Sequence, residues 1–228
     1  MNYSDYRRIA RERLRGNWML SIGVGAISCL LGGLIVGSSF IPELSFRIRE
    51  QDISSMTDLL NYFSTSSVSA FGLGSAIGLV QFIIGGVIEL GYAQFLLKQY
   101  GRANFEFRDL FSQFDQFTQG FLQRFLRGLY ILLWSLLFII PGIIKGYAYA
   151  MTPFIMAENP DMTANEAITA SKELMDGHKG ELFTLELTFL GWSLLAAITC
   201  NIGYLALNPY MNAARAVFYK DLTGGAKE

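Results

Sequence analysis

The sequence predicts an all-helical protein that crosses a membrane several times. Hydrophobic residues make up 52% of its 228 residues and charged residues only 16%, whereas charged residues are about 25% of an average soluble domain. The apolar residues form runs near the roughly 20 residues that a helix needs to cross about 30 Å of hydrocarbon. We therefore expect one integral membrane domain over residues 1–228, with about six transmembrane helices and additional amphipathic helices at the interface.

Residues 1–17 are predicted to form a cytoplasmic amphipathic helix. Apolar residues recur at helical spacing, Ser4 can cap the start, and Gly16 can end the helix in the left-handed conformation. The segment is rich in arginine, which favours the cytoplasmic side, and the tryptophan that follows prefers the membrane interface. It either anchors the topology or binds lipid as a surface helix. The residues expected at this interface are Arg7, Arg8, Arg11, Arg15 and Trp18.

Six apolar runs are candidates for the transmembrane helices, and the pair Pro141-Gly142 leaves two readings of the chain, because proline breaks or kinks a helix. If the pair is a turn between two spans, the polar segment 158–181 is cytoplasmic. The six spans are then 18–41, 68–97, 121–140, 143–157, 182–199 and 203–219. If residues 129–157 form one kinked span, segment 158–181 is extracellular and the spans number four. We favour six, because the pattern at 14–18 returns at 174–179, as expected for parallel repeats. Both readings place both termini in the cytoplasm.

The connections between the spans differ in charge and pattern. Residues 42–67 carry few positive charges for their length and are placed outside the cell. Residues 98–120 are predicted to form a cytoplasmic interfacial helix, because phenylalanines recur at spacings of three and four. Packing of this stripe against a neighbouring helix is the alternative. In segment 158–181, Thr163 and Glu166 form a capping box that predicts the start of a polar helix. The phenylalanines expected at the membrane surface are Phe111, Phe114 and Phe117.

The sequence contains no motif that indicates catalysis. GxSxG, HExxH and P-loop patterns are absent, and one histidine with scattered carboxylates is insufficient for a hydrolytic triad. We therefore expect no catalytic residue, no metal and no cofactor. No basic surface with interleaved aromatic residues indicates a nucleic-acid partner.

Ionisable residues within or near the apolar runs are the remaining candidates for a site. Such groups are costly in lipid and usually face a protein interior or water. The functional interpretation is an ion or substrate path in which Glu89 or Glu186 pairs with Lys145. The alternative is that each group lies near the end of a span and reaches the headgroups. His178 could sense pH. The five candidates are Glu89, Lys145, Glu158, Glu186 and His178.

The run PGIIKGYAYAMTPFIMAENPDMTANEAITASKELMDGHKGELF at 141–183 resembles the signature of an uncharacterised family of integral membrane proteins from Gram-positive bacteria, known as domain of unknown function 975. LRGNW at 14–18 and NPYMNAARAVFYKDL at 208–222 fit the same family, so the resemblance covers essentially the whole chain. More distantly, the order of elements is similar to the membrane domain attached to some glycerophosphodiester phosphodiesterases, whose hydrolase part this chain lacks. The resemblance implies a multi-pass protein of the bacterial cell membrane and supplies no catalytic residues.

The function expected from these observations is non-enzymatic. The protein would bind membrane lipids, another membrane protein or a second copy of itself as an accessory factor. A transporter or channel component is the alternative, which rests on the broken spans, the repeat and the charges within the membrane. A third hypothesis is an enzyme acting on lipid, with Glu158, Asp161, His178 and Lys179 gathered beside a headgroup.

Overall fold

Helices follow the apolar runs of the chain. The computed structural model describes residues 3–32, 76–137, 139–198 and 202–224. Within these ranges there are α-helices and two short 3-10 helices but no β-strand, so the all-helical fold class is confirmed. The α-helices are α1 (Tyr3–Leu14), α2 (Trp18–Leu30), α3 (Ala76–Tyr100), α4 (Phe117–Leu137), α5 (Ile139–Ala148), α6 (Thr152–Glu158), α7 (Ala164–Leu174), α8 (Lys179–Leu187), α9 (Leu190–Ile198) and α10 (Ile202–Leu222).

The predicted loop 42–67 lies outside the described residues, as does all of 33–75. The first predicted span is therefore represented only by the 13 residues of α2. The second is represented only from Ala76 onward, where α3 begins.

A continuous hydrophobic core joins α1, the C-terminal half of α3, α6 and the C-terminal half of α10. Phe95 of α3, Phe154 of α6 and Phe218 of α10 are fully buried there. The ring of Tyr6 on α1 meets that of Phe218 edge-on, with centroids 5.5 Å apart, and its hydroxyl donates a 2.5 Å hydrogen bond to Asp221. Burial and this hydrogen bond raise the pKa of Tyr6, so the hydroxyl keeps its proton. The N-terminal helix and the end of α10 therefore lie at the same end of the bundle.

Two glycines let α3 and α4 touch backbone to backbone. A Cβ placed on Gly86 would lie 2.2 Å from the carbonyl oxygen of Gly120, and one placed on Gly120 would lie 3.0 Å from the side chain of Val87. Small residues permit this close approach between helices. The crossing sets the position of α4 relative to the core helix α3.

The chain reverses direction between α4 and α5. The rings of Tyr130 and Tyr149 have centroids 6.2 Å apart, although residues 19 positions apart in one continuous helix would be about 28 Å apart. The ammonium of Lys145 likewise lies 4.6 Å from the ring centroid of Trp134. The reading of 129–157 as one kinked span is therefore wrong. Pro141 lies in the first turn of α5, where proline is tolerated.

Two of the predicted spans are broken into short helices. In 143–157, α5 ends at Ala148 and α6 begins at Thr152, because Pro153 has no N–H to continue the helical hydrogen bonds. In 182–199, α8 ends at Leu187 and α9 begins at Leu190. The break coincides with a tight turn in which the N–H of Phe189 bonds to the carbonyl oxygen of Glu186 at 2.9 Å. Helices of nine or ten residues, such as α5 and α9, extend only about 15 Å.

The predicted continuous helix over 98–120 is wrong. The helix α3 ends at Tyr100, and Arg102 adopts a φ of 53° that an α-helix cannot accommodate. A capping box between Glu106 and Asp109 then starts a 3-10 helix over Phe107–Phe111, and a second follows over Phe114–Gln116. Asp109 also accepts a 2.6 Å hydrogen bond from Lys98 at the end of α3. This contact folds the segment back onto α3.

The predicted capping box of α7 and the predicted end of α1 at Gly16 are confirmed, whereas the predicted cap at Ser4 is wrong, because α1 begins at Tyr3 and Ser4 lies inside it. The capping box of α7 is complete: the N–H of Thr163 donates to Glu166 at 2.8 Å, and the N–H of Glu166 points back at the Thr163 hydroxyl. Gly16 after α1 and Gly177 after α7 have φ values of 91° and 79°. These glycines release the chain from one helix into the next without steric strain.

One helical stretch in the described ranges, Val80–Tyr100 of α3, is long and apolar enough to cross a membrane. Its mean hydropathy is 1.5, and 61% of the relevant window is buried inside the protein. The core helix of a soluble protein can meet the same condition, so this helix supports a membrane location only weakly. The predicted count of six full-length spans is not supported, because α2, α5 and α9 are too short within the described ranges.

Candidate functional site

Large apolar side chains are exposed over a substantial part of the bundle, and we call this set the apolar surface. In α3, α5 and α10 the exposed apolar residues lie in the N-terminal part of the helix, whereas the C-terminal part is buried in the core. Leu136 at the α4–α5 reversal is 82% exposed, and Ile140 beside it is 72% exposed. The apolar surface is defined as the exposed apolar residues Leu30, Val80, Ile83, Leu133, Trp134, Leu136, Ile140, Ile144, Trp192, Leu194, Leu195 and Leu205. Further exposed apolar side chains lie outside this set on α2 (Met19), α4 (Leu122 and Phe125) and α8 (Phe183 and Leu187).

A buried ion pair joins α5, α8 and α10 around Glu186. Its oxygen Oε1 accepts from Arg215 Nε at 3.1 Å and from Arg215 Nη2 at 2.9 Å. Its oxygen Oε2 accepts from the Tyr147 hydroxyl at 2.8 Å. Asn212 accepts a further 2.9 Å bond from Arg215 Nη1. With side-chain exposures of 2% and 3%, Glu186 and Arg215 are removed from solvent but compensated by charge and by hydrogen bonds.

A second buried ion pair joins α3 and α4 around Glu89. Arg127 Nη2 donates to both carboxylate oxygens of Glu89, at 2.6 and 2.9 Å. Arg124 Nη1 lies 3.8 Å from the same carboxylate and donates at 2.5 Å to the backbone carbonyl of Gly32, beyond the end of α2. The cluster therefore fastens α2, α3 and α4 to one another.

The five predicted path residues do not form one site. Glu89 and Glu186 are each bound by arginine, so the predicted pairing of either with Lys145 is wrong. Glu158 accepts from the Tyr219 hydroxyl at 2.8 Å and forms an ion pair with Lys220. His178 Nδ1 lies 3.0 Å from the carboxylate of Glu181.

The group proposed for an enzyme acting on lipid is likewise divided among other partners. Glu158 is engaged at the end of α10, and Lys179 donates to Asp176 at 3.1 Å. With the His178–Glu181 contact, these residues form separate ion pairs rather than one group. Among the residues that the structure describes, no group of three or more histidines, cysteines or carboxylates could hold a metal ion.

The predicted membrane-interface residues fall into two sets. The phenylalanines Phe111, Phe114 and Phe117 are partly exposed. The ring of Phe111 contacts those of Phe107 and Phe114, with centroids 5.8 and 5.9 Å apart, and these three rings form a small aromatic cluster. Of the arginines, Arg8 and Arg11 are exposed on α1 and Arg15 is exposed just beyond its end, whereas Arg7 is partly buried. Arg8 pairs with Asp5 at 3.2 Å, and the guanidinium of Arg11 lies 5.9 Å from the ring centroid of Tyr210.

The apolar face of α1 is buried against the protein through Tyr6, Ala10 and Leu14. This helix therefore offers its arginine face, rather than an apolar face, to any membrane surface. Trp18 at the start of α2 packs near Tyr210, with ring centroids 6.3 Å apart.

A pocket of about 170 Å³ lies between α5, α7 and the start of α8. Three of its lining side chains are lysines and two are carboxylates, and the remaining two are apolar. Hydrogen bonding from Lys179, the largest cause, lowers the pKa of Asp176 and keeps that carboxylate ionised. The lining residues are Ile144, Lys145, Ala148, Lys172, Glu173, Asp176 and Lys179.

Sequence reasoning did not identify the three arginines that neutralise the buried carboxylates, namely Arg124, Arg127 and Arg215. A signal was nevertheless present, because Arg215 stands within the apolar run AARAVF, where an unpaired charge would be costly. That cost predicts a carboxylate partner but does not identify which one.

Comparisons with known proteins bear on the C-terminal part of the chain. Searches of the curated proteins and of the solved structures find no match. A family model described as "Protein of unknown function (DUF975)" matches residues 136–226. The matched range contains the run 141–183 and the segment 208–222 that carry the resemblance, whereas LRGNW at 14–18 precedes it. Over residues 136–226, which include both α8 and α10 of the Glu186 cluster, the chain is similar to the family of proteins of unknown function designated DUF975.

Proposed function

We propose that this chain is a multi-pass protein of the bacterial cell membrane that binds membrane lipid or a partner membrane protein and has no enzymatic activity. The apolar surface is the observation that carries the proposal. Exposing a leucine or isoleucine to water rather than burying it costs roughly 1.5–3 kcal/mol. An apolar surface of this extent is typical of a membrane or protein contact. Leu136 and Ile140, at the tip of the α4–α5 hairpin, are its most exposed adjoining members.

The arrangement of the chain ends supports a topology with both termini in the cytoplasm. Tyr6 on α1 bonds to Asp221, and Glu158 at the start of segment 158–181 bonds to Tyr219 near the end of α10. The N-terminal helix, the end of α10 and this polar segment therefore occupy the same end of the bundle. The apolar surface draws on six helices, namely α2, α3, α4, α5, α9 and α10, and we propose that these six apolar segments enter the membrane.

The buried charges favour a binding protein over a transporter. Glu89 and Glu186 each accept several hydrogen bonds from arginine and are almost completely buried. A carboxylate held in this way keeps helices in a defined arrangement. A transport path would instead need charged groups that face water or a substrate.

Resistance to extraction tests the membrane proposal. Membranes containing the full chain are washed with alkaline carbonate, and the retained fraction is measured for the wild type and for Leu136→Asp. We expect the wild type to be retained and Leu136→Asp to be released in part, because a carboxylate on the hairpin tip would have to enter the membrane. Thr169→Asp, on the exposed face of polar helix α7, adds the same charge and should leave retention unchanged. A wild-type chain that is monodisperse without detergent would contradict the proposal.

The exposed phenylalanines give a second test of binding at the interface. Replacing Phe111, Phe114 and Phe117 together with alanine should weaken association with membranes or with a partner, because each ring is more than a third exposed. Unchanged association would assign the rings to packing alone.

A transporter or channel component is the second candidate, favoured by the short broken helices α5, α6, α8 and α9. Flux across proteoliposomes that contain the purified chain tests it with a panel of ions and small solutes. Flux that is abolished by Glu186→Gln in a variant that remains folded would favour this candidate over the binding protein.

A further inference from the structure

The pocket between α5, α7 and α8 has an excess of positive charge. Three lysines and two carboxylates line it, so its formal charge is +1. Asp176 is occupied by Lys179 at 3.1 Å. Lys145, Lys172 and Glu173 also line the pocket, and within the described ranges the carboxylate of Glu173 forms no ion pair within 4.0 Å.

The same pocket borders the apolar surface. Ile144, one of its lining residues, is 48% exposed, and the ring of Trp134 lies against Lys145 with 4.6 Å between the ammonium and the ring centroid. Ile140, one helical turn before Ile144, continues the apolar strip along α5. A lysine whose stem follows an apolar strip while its ammonium reaches a polar pocket is the arrangement seen at membrane interfaces.

An amphipathic anion would match both parts of this region. A phosphate group is large enough to meet two ammonium groups at once and accepts hydrogen bonds from each. An acyl chain attached to it could lie along Ile144 and Trp134. Basic pockets between membrane helices on the cytoplasmic side bind anionic headgroups in this way.

We infer that this pocket binds the phosphate of an anionic phospholipid, with Lys145 and Lys172 as its donors and Trp134 and Ile144 against the acyl chain. The inference rests on the proposed function and names the lipid class that it left open. Lys179 is paired with Asp176, so it adds to the local positive potential but does not serve as a donor to the phosphate.

Quenching of Trp134 by brominated lipid tests the inference directly. Trp18→Phe and Trp192→Phe leave Trp134 as the single tryptophan of the full chain. This protein is reconstituted into phosphatidylcholine vesicles that contain either brominated phosphatidylglycerol or brominated phosphatidylcholine at equal mole fraction. We expect brominated phosphatidylglycerol to quench Trp134 more strongly than brominated phosphatidylcholine does. In Lys145→Gln or Lys172→Gln, the preference for phosphatidylglycerol over phosphatidylcholine should fall about fivefold.

Two further variants distinguish a site from general attraction to an anionic surface. Glu173→Gln removes a lining carboxylate and should strengthen the preference. Arg108→Gln removes one exposed positive charge away from the pocket and should leave it unchanged. A preference that falls equally for Arg108→Gln and Lys172→Gln would overturn the inference.

A free phosphate ion is the other source of the same chemistry. Millimolar inorganic phosphate in the buffer should leave the quenching by brominated phosphatidylglycerol intact, because the acyl chain adds binding energy that the ion lacks. Displacement of the lipid by inorganic phosphate would assign the pocket to a soluble anion and overturn the lipid assignment.

Flotation of the same vesicles separates the lipid-site proposal from the membrane proposal. A chain that floats but shows no headgroup preference refutes only the lipid site. A chain that does not float refutes the membrane proposal itself.

Discussion

The ion pair between Glu186 and Arg215 offers the sharpest test of whether the buried charges are structural. Glu186→Gln removes the negative charge but preserves the size of the side chain and an oxygen that can accept from Tyr147. The guanidinium of Arg215 then loses two charge-assisted bonds of 3.1 and 2.9 Å, whereas its bond to Asn212 does not involve Glu186. The buried positive charge of Arg215 loses the counter-charge that Glu186 supplied.

The cost of this change follows from the burial of the pair. Both side chains are almost completely buried, at 2% and 3% exposure. Breaking such a pair by removing one partner costs about 3–5 kcal/mol. For a domain of this size each kcal/mol corresponds to about 2–4 °C. We therefore expect the melting temperature of Glu186→Gln to fall by about 10 °C.

Thermal unfolding of the detergent-purified chain, followed by circular dichroism, measures the effect. Asp5→Asn is the matched control, because it removes one carboxylate from the exposed pair with Arg8 at 3.2 Å and should cost less than about 1 kcal/mol. The double variant Glu186→Gln with Arg215→Met removes both charges, so it should recover most of the loss.

Two results would refute the structural interpretation. A fall in melting temperature no larger than that of Asp5→Asn would mean that the pair does not hold α8 to α10. A double variant as unstable as Glu186→Gln would mean that the loss came from something other than an uncompensated buried Arg215.

The remaining predictions concern helix packing and a helix start. Gly86→Ala places a Cβ 2.2 Å from the Gly120 carbonyl oxygen and should destabilise the protein by about 1–3 kcal/mol. The control Gly23→Ala meets nothing within 4 Å and should be neutral or stabilising by up to about 1 kcal/mol. Thermal unfolding measures both variants against the wild type. Thr163→Ala removes the cap of α7 and should cost about 1 kcal/mol in the same assay. The hydrogen bond from the Thr163 N–H lowers the pKa of Glu166. The stabilisation by Glu166 is therefore complete above its ordinary pKa of 4.5 and is lost as the pH falls through the lower folded-state value. Glu166→Gln should accordingly flatten the acid side of the melting-temperature profile, and an unchanged profile would contradict this reasoning.

Local features of the fold could be predicted because they depend on neighbouring residues. The all-helical class follows from long apolar runs, and the start of α7 follows from Thr163 and Glu166 three residues apart. Gly16 and Gly177 end helices because glycine alone adopts a positive φ without cost. A reversal near Pro141 was also expected, although Pro141 itself lies in the first turn of α5.

The failures have both local and non-local causes. The helix over 98–120 was predicted from phenylalanine spacing, but the contact of Asp109 with Lys98 and the capping box with Glu106 favour a segment folded back on α3. The spans over 143–157 and 182–199 have apolar composition throughout. Their breaks reflect Pro153 and the tight turn at Phe189, which composition does not register.

The sequence by itself determined that this chain is helical, rich in apolar residues, and supplied with specific helix caps. These properties depend on composition and on residues within one turn of each other. Only the tertiary structure decided that Glu89 and Glu186 pair with arginines and that Lys145 joins Lys172 in a pocket. A buried charge requires a partner, but many residues could supply one. The choice depends on which helix faces meet, and that is settled by packing across the whole bundle.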